Sequence, residues 1–230
     1  MNETLRDELI EYFAEYVTDH KISRIKQVLG YRTRYLTLVL EDIYQPHNAN
    51  ATLRTVECLG IQDIHIIENE NEFKVAQVVT QGASKWLNLN RYRTDGNNTK
   101  ICLDKLRSNG YRIFATTPHA TEFYTLDTIP LDQKIAIMFG NEGFGLTDYA
   151  IDAADDILKI PIYGFTESYN ISVSVAITFS HIIKRLHDSE VNWGLTDQEK
   201  KELTLKWYKK IVRRSDLLEK KYLQERGLWS

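Results

Sequence analysis

Residues 137–175 read IMFGNEGFGLTDYAIDAADDILKIPIYGFTESYNISVSV, and the order of elements in this stretch decides the fold. An apolar run over 135–139 carries no charge, as a strand buried on both faces requires. It runs into Gly140-Asn141-Glu142-Gly143-Phe144-Gly145, three glycines around a single acid. A short helix over 147–154 and a second strand over 157–161, ending Ile160-Pro161, follow. A turn carrying Ser168-Tyr169-Asn170 then opens a long apolar helix over 170–187. Strands that alternate with helices must run parallel and be covered on both faces.

The same alternation extends upstream. Strands are expected over 35–41, 64–67, 86–92 and 111–116, with helices over 48–59, 74–80 and 99–109. Asn48 suits an N-cap and Gly60 the residue beyond a helix end. Before this core, helical spacing of Leu5, Leu9, Ile10, Phe13 and Val17 predicts a helix over 3–17, and another fits 21–29. After Leu186 the composition changes: 188–194 reads as a linker and 197–226 as one or two charged helices. The expected organisation is a helical extension at 1–30, an α/β domain at 31–187 and a helical extension at 188–230.

Bulk properties fit a soluble chain. It has 230 residues, 43% hydrophobic and 27% charged, so one well-buried domain with additions is the natural division. The first residues, MNETLRDELIEYF, lack a signal peptide's apolar core, and no run approaches the ~18 apolar residues of a membrane span. Cys58 and Cys102 both have apolar neighbours and read as buried thiols, which suits a reducing cytoplasm. The six histidines show no ligand spacing with cysteine or carboxylate, so no metal is expected. Net charge is −3, yet Lys21, Arg24, Lys26, Arg32 and Arg34 fall in an acid-free stretch, and 200–221 is again rich in lysine and arginine. Each patch alone reads as a solvated helix face; two patches beside one core suit a polyanionic partner.

The loop at 140–145 matches neither phosphate-binding glycine pattern. Its glycines serve equally a tight turn or a close approach of main chain to a ligand. Ser168 and Asn170 serve equally as helix caps or as site residues. Arg54, alone, is a surface arginine on a helix.

Three segments in fixed order narrow these choices. The stretch PHNANATLRT with Asn48 and Arg54, the loop Gly140–Gly145 with Glu142, and the IPIYGFTESYN turn with Ser168 and Asn170 resemble the three motifs of the SPOUT RNA methyltransferases. The similarity covers roughly 35–187 and is closest to the TrmH (SpoU) branch, which methylates ribose 2′-hydroxyls. It implies a C-terminal trefoil knot, among the exceptions to the rule against threaded chains. It also implies S-adenosyl-L-methionine as methyl donor and a homodimer. Cofactor contacts carried over are Thr116, Gly140, Ile160 and Tyr169; active-site residues are Asn48, Arg54, Glu142, Ser168 and Asn170. The family's matching arginine is assigned to activating the hydroxyl. A guanidinium holds its proton, so Arg54 is read as orienting the hydroxyl and a neighbouring phosphate.

Within the branch, GASKWLNL at 82–89 and short helical arms at both ends favour the enzymes acting on the tRNA D-loop guanosine. A ribosomal RNA methylase of the same superfamily and a catalytically silent RNA-binding module are the alternatives. A nicotinamide oxidoreductase fails for lack of a glycine fingerprint after the first strand.

Overall fold

The computed structural model describes residues 2–74 and 82–228. Apart from residue 74, the helix expected over 74–80 lies outside the described residues. In chain order the elements are α1 (Glu3–Ala14), α2 (Asp19–Leu29), β1 (Leu36–Glu41), α3 (Pro46–Cys58), β2 (Asp63–Ile67), a 3₁₀ turn (Ala83–Trp86) and β3 (Asn88–Tyr92). There follow α4 (Asn98–Ser108), β4 (Tyr111–Thr116), β5 (Lys134–Phe139), α5 (Asp148–Asp152), β6 (Asp156–Leu158), α6 (Ile171–His187), α7 (Asp197–Ile211) and α8 (Ser215–Glu225).

The strands form one sheet in the order β3-β2-β1-β5-β4-β6, with every neighbouring pair parallel. Side-chain alternation sorts the core into two layers. Leu36, Leu38 and Leu40, with Ile135, Ile137 and Phe139, pack with Leu53 and Val56 of α3 and Val175, Phe179 and Ile182 of α6. The intervening Val39, Ala136 and Met138 pack with Cys102, Leu103 and Leu106 of α4 and Ala150 of α5. Both faces are therefore covered, which is why β1 is buried at every position.

The last strand stops earlier than the sequence suggests. Thr116 closes β4 opposite Leu158, so no partner in β4 remains for the residues that follow. The chain instead pairs with Tyr124, which accepts from the Lys159 amide at 2.9 Å. Chain order reverses between β1 and β5. The carboxyl ends of those two strands thus flank a topological switch point, where open parallel sheets bind their ligands.

Two titratable groups buried against the sheet, His65 and Cys102, are neutral at physiological pH. His65 bonds the Tyr92 hydroxyl at 2.8 Å, and burial pushes its pKa down to about 4. Burial pushes the Cys102 thiol up to about 12, so it is no nucleophile at neutral pH. Cys58 is exposed, contrary to its apolar neighbourhood, because α3 turns Leu53 and Val56 to the sheet and leaves Cys58 off that face.

Contacts divide the described chain into two compact units, Thr33–Trp193 and a helical one made of Met1–Arg32 with Gly194–Ser230. In the helical unit Leu9, Phe13, Trp207 and Tyr208 are buried, and Lys201 pairs with Asp7 at 2.6 Å. A capping box of Thr196 and Glu199 starts α7. Several residues of the two basic patches are spent on structure. Arg32 is buried with its guanidinium 5.4 Å from the Trp207 ring centroid, and Lys209 bridges to Glu219 of α8 at 2.5 Å. In the sheet unit Arg34 pairs with Asp63 at 3.0 Å. Lys21, Arg24, Lys26, Arg213 and Lys220 remain exposed. Among the described residues no helix is long and apolar enough to cross a membrane.

Candidate active site

The loop after β5 is a tight hairpin. Asn141 and Gly145 exchange backbone hydrogen bonds of 2.9 and 2.8 Å, leaving Glu142, Gly143 and Phe144 at the tip. Gly145 takes a φ of +76°, the left-handed conformation that closes a three-residue hairpin. The Asn141 side chain accepts from the Gly143 amide at 2.8 Å and stiffens the turn. Gly140 is required for another reason: a Cβ there would lie 2.1 Å from the carbonyl carbon of Gly145 and 2.2 Å from the Leu146 amide nitrogen.

Both feet of the hairpin are pinned to the end of β1. Asn141 Nδ2 donates to the Asp42 carbonyl at 2.8 Å. Beyond the hairpin, the Thr147 amide and hydroxyl donate to the buried Glu41 carboxylate at 2.9 and 3.1 Å, and Thr99 donates to it at 2.6 Å. Asp42 itself has a φ of 51° and accepts from the amides of Asn69, Glu70 and Asn71. Three donors hold it in a conformation costly for a non-glycine residue. None of Glu41, Asp42 or Asn141 stood out in the sequence. The available signal was an acid pair closing an otherwise apolar strand, since a buried carboxylate must find donors.

From the hairpin tip, Glu142 reaches across to the start of α3. It accepts from the amides of Tyr44 at 3.0 Å and Gln45 at 3.2 Å, and from Asn48 Nδ2 at 2.9 Å. A carboxylate here meets the positive end of a helix dipole. Gln45 makes no side-chain cap, so the acid supplies charge the local sequence does not. Asn48 is therefore not the N-cap that its residue type suggested: α3 begins two residues earlier, at Pro46, and Asn48 is buried in its first turn. Its Oδ1 accepts from Asn170 Nδ2 at 3.0 Å, and Asn170 Oδ1 accepts from the Ser172 amide at 2.9 Å at the start of α6.

This chain of amides has one consistent polarity. The Ser172 backbone N–H can only donate, so Asn170 turns its oxygen there and its NH₂ toward Asn48. Asn48 then presents its own NH₂ to the Glu142 carboxylate. The network ties together the loops that follow β1, β5 and β6, beside the switch point.

Three of the five expected active-site residues, Asn48, Glu142 and Asn170, thus meet. Arg54 is exposed on α3 and Ser168 is exposed in the turn before α6; among the described residues neither is joined to the network by a hydrogen bond. The four expected cofactor contacts lie at the same edge of the sheet or in the segments leaving it. Thr116 ends β4 and donates to the Met138 carbonyl at 2.7 Å, and Gly140 follows β5. Ile160 follows β6 and packs partly buried on the core, while the Tyr169 hydroxyl reaches the Pro161 carbonyl at 3.4 Å. Gly140 is partly buried, and its missing Cβ is what lets the Gly145–Leu146 main chain pass so close.

Comparison with known proteins places these features in context. A family model described as the SpoU rRNA Methylase family matches residues 35–180. A relative from Borreliella burgdorferi, named tRNA (guanosine(18)-2′-O)-methyltransferase, is 44% identical over 210 residues, 91% of this chain and 94% of its own length. The crystal structure of an A. aeolicus TrmH/SpoU tRNA modifying enzyme matches with a TM-score of 0.74 at 23% identity, over 85% of this chain and 98% of that one. The SpoU methyltransferase AviRb from Streptomyces viridochromogenes, in complex with the cofactor AdoMet, matches at 0.59 with 16% identity, over 71% of this chain and 62% of that one.

Proposed function

The chain belongs to the SpoU methylase family, and we propose that it methylates the ribose 2′-hydroxyl of guanosine 18 in tRNA with S-adenosylmethionine as donor. The observation that carries this reading is the 44% identity to the guanosine-18 enzyme across 91% of the chain, a span that reaches beyond the α/β unit into the helices. S-adenosylmethionine supplies an electrophilic methyl group on a sulfonium. The chain's residues must bind it, bring the 2′-oxygen into line and steady the charge that develops. Thr116, Gly140, Ile160 and Tyr169 are the proposed cofactor contacts. Glu142, Asn48 and Asn170 hold the three loops in register at the active site, Ser168 lies two residues before Asn170 in the same turn, and Arg54 orients the hydroxyl and its phosphate. Incubation with labelled S-adenosylmethionine and separate tRNA and ribosomal RNA pools, followed by mapping, tests the assignment. Label confined to a tRNA D-loop guanosine is expected; label in ribosomal RNA alone would overturn it.

The proposal includes a methyltransferase domain at 31–187 with helical extensions at 1–30 and 188–230, a trefoil knot near the C-terminal end of that domain, and a cytoplasmic homodimer. An experimental trace of 134–187 without threading would contradict the knot. Sedimentation at the chain mass of 26.8 kDa with full activity would contradict the dimer.

The exposed cations of the helical unit are proposed to grip phosphates. Replacing Lys21, Arg24, Lys26 and Arg213 with alanine should flatten the log–log salt dependence of tRNA binding by about 0.7–0.9 per lost contact. The methylated nucleotide should not change, because phosphate contacts position without reading sequence. Filter binding at several salt concentrations measures the slope, and an unchanged slope would return these residues to a solvated surface.

A further inference from the structure

The hairpin that presents Glu142 also presents an aromatic ring to solvent. Phe144, two residues on, is 94% exposed, and Tyr44, whose amide donates to Glu142, is 69% exposed. Exposed rings scattered singly are ordinary on a protein surface, whereas rings grouped at a functional site mark a surface that binds. The main chain that carries each ring is anchored, at Phe144 by the Asn141–Gly145 pair and the pinned feet of the hairpin, and at Tyr44 by its amide donating to Glu142. The same carboxylate thus joins two chain segments that each carry an exposed ring to the Asn48–Asn170 network.

We propose that Phe144 and Tyr44 form a stacking site for a nucleobase of the RNA, on the nucleotide whose ribose enters the active site or its immediate neighbour. The inference rests on the proposed activity. Guanosine 18 lies in a loop of the tRNA, and loop nucleotides can splay their bases out onto aromatic side chains. An exposed ring on each of the two segments that Glu142 joins offers that partner, and the network itself is left to the ribose. Every base has a π-face, so the site supplies position rather than sequence. Tyr163 and Phe165 are exposed as well, at 94% and 110%, but among the described residues their segment joins the network at its far end, through Asn170.

The test is steady-state methylation of a tRNA transcript by Phe144→Ala, Tyr44→Ala, Phe144→Trp and Tyr44→Phe, with cofactor affinity and sedimentation measured alongside. Each alanine variant should raise the KM for tRNA about five- to 150-fold, the loss of one stacked base, while cofactor affinity and melting temperature stay at the wild-type value. Phe144→Trp and Tyr44→Phe should restore the KM, because each keeps a ring. A transcript with 2-aminopurine at position 18 should be quenched on binding wild type and less so on Phe144→Ala. Unchanged KM in both alanine variants overturns the stacking site, as does altered sedimentation with unchanged RNA affinity, which would mean that a second copy covers the rings. Wild type that binds S-adenosylmethionine yet methylates no tRNA would sink the proposed activity, and the inference with it.

Discussion

Gly140→Val should abolish S-adenosylmethionine binding, from a micromolar affinity worth about −8 kcal/mol to none measurable by calorimetry. The protein's own backbone is the cause. The added Cβ would fall 2.1 Å from the Gly145 carbonyl carbon and 2.2 Å from the Leu146 nitrogen, positions that main-chain atoms cannot vacate cheaply. Because Asn141 and Thr147 pin the hairpin to Asp42 and Glu41, the displacement cannot be absorbed at its feet. It must move the tip, and with it Glu142. Overpacking of this kind costs about 1–3 kcal/mol, so a lowered melting temperature should accompany the lost binding. Gly143→Ala is the control. Its Cβ meets only the Asn141 side-chain oxygen, at 3.4 Å, and binding should survive. Unchanged affinity in Gly140→Val would remove the cofactor from this loop.

Arg54→Ala should behave in the opposite way. Arg54 is exposed and stands outside the hydrogen-bond network, so neither fold nor cofactor affinity should depend on it. Methylation should fall by about 10²–10³-fold, the usual loss when one group that stabilises developing charge is removed. Arg54→Lys should recover little, since an ammonium cannot reproduce a planar fork that bonds a hydroxyl and a phosphate together. The readout is single-turnover methylation at saturating cofactor. Turnover near wild type in Arg54→Lys would mean that a point charge suffices, and near-wild-type Arg54→Ala would remove the residue from the site.

How much of this the sequence disclosed depends on how local the cause is. The sheet was legible because β1 and β5 are near-continuous apolar runs, as strands covered on both faces require; the structure then sorts Leu38 and Ile137 to one face and Val39 and Met138 to the other. The start of α3 was misread because its cause is distant. Asn48 is a good capping residue by type, but Pro46 opens the helix and Glu142, nearly a hundred residues away in sequence, supplies the charge at its end. The candidate residues Asn48, Glu142 and Asn170 came from motif resemblance; the polarity that orders them came from the Ser172 amide. Gly140 could be recognised as a glycine that matters but not why, because the clash exists only once the hairpin has closed. The basic patches were overcounted for the same reason, as Arg32 and Lys209 find partners elsewhere in the chain, Trp207 and Glu219.

The central claim is that the acceptor is a ribose 2′-oxygen on one tRNA guanosine, and one substitution in the substrate tests it without touching the protein. Two tRNA transcripts would be compared, identical except that one carries 2′-deoxyguanosine at position 18. The account predicts one methyl group transferred per molecule of the all-ribose transcript and none to the deoxy transcript, although both bind. Equal methylation of the two would contradict it, because the methyl group would then be going to a base or to another nucleotide.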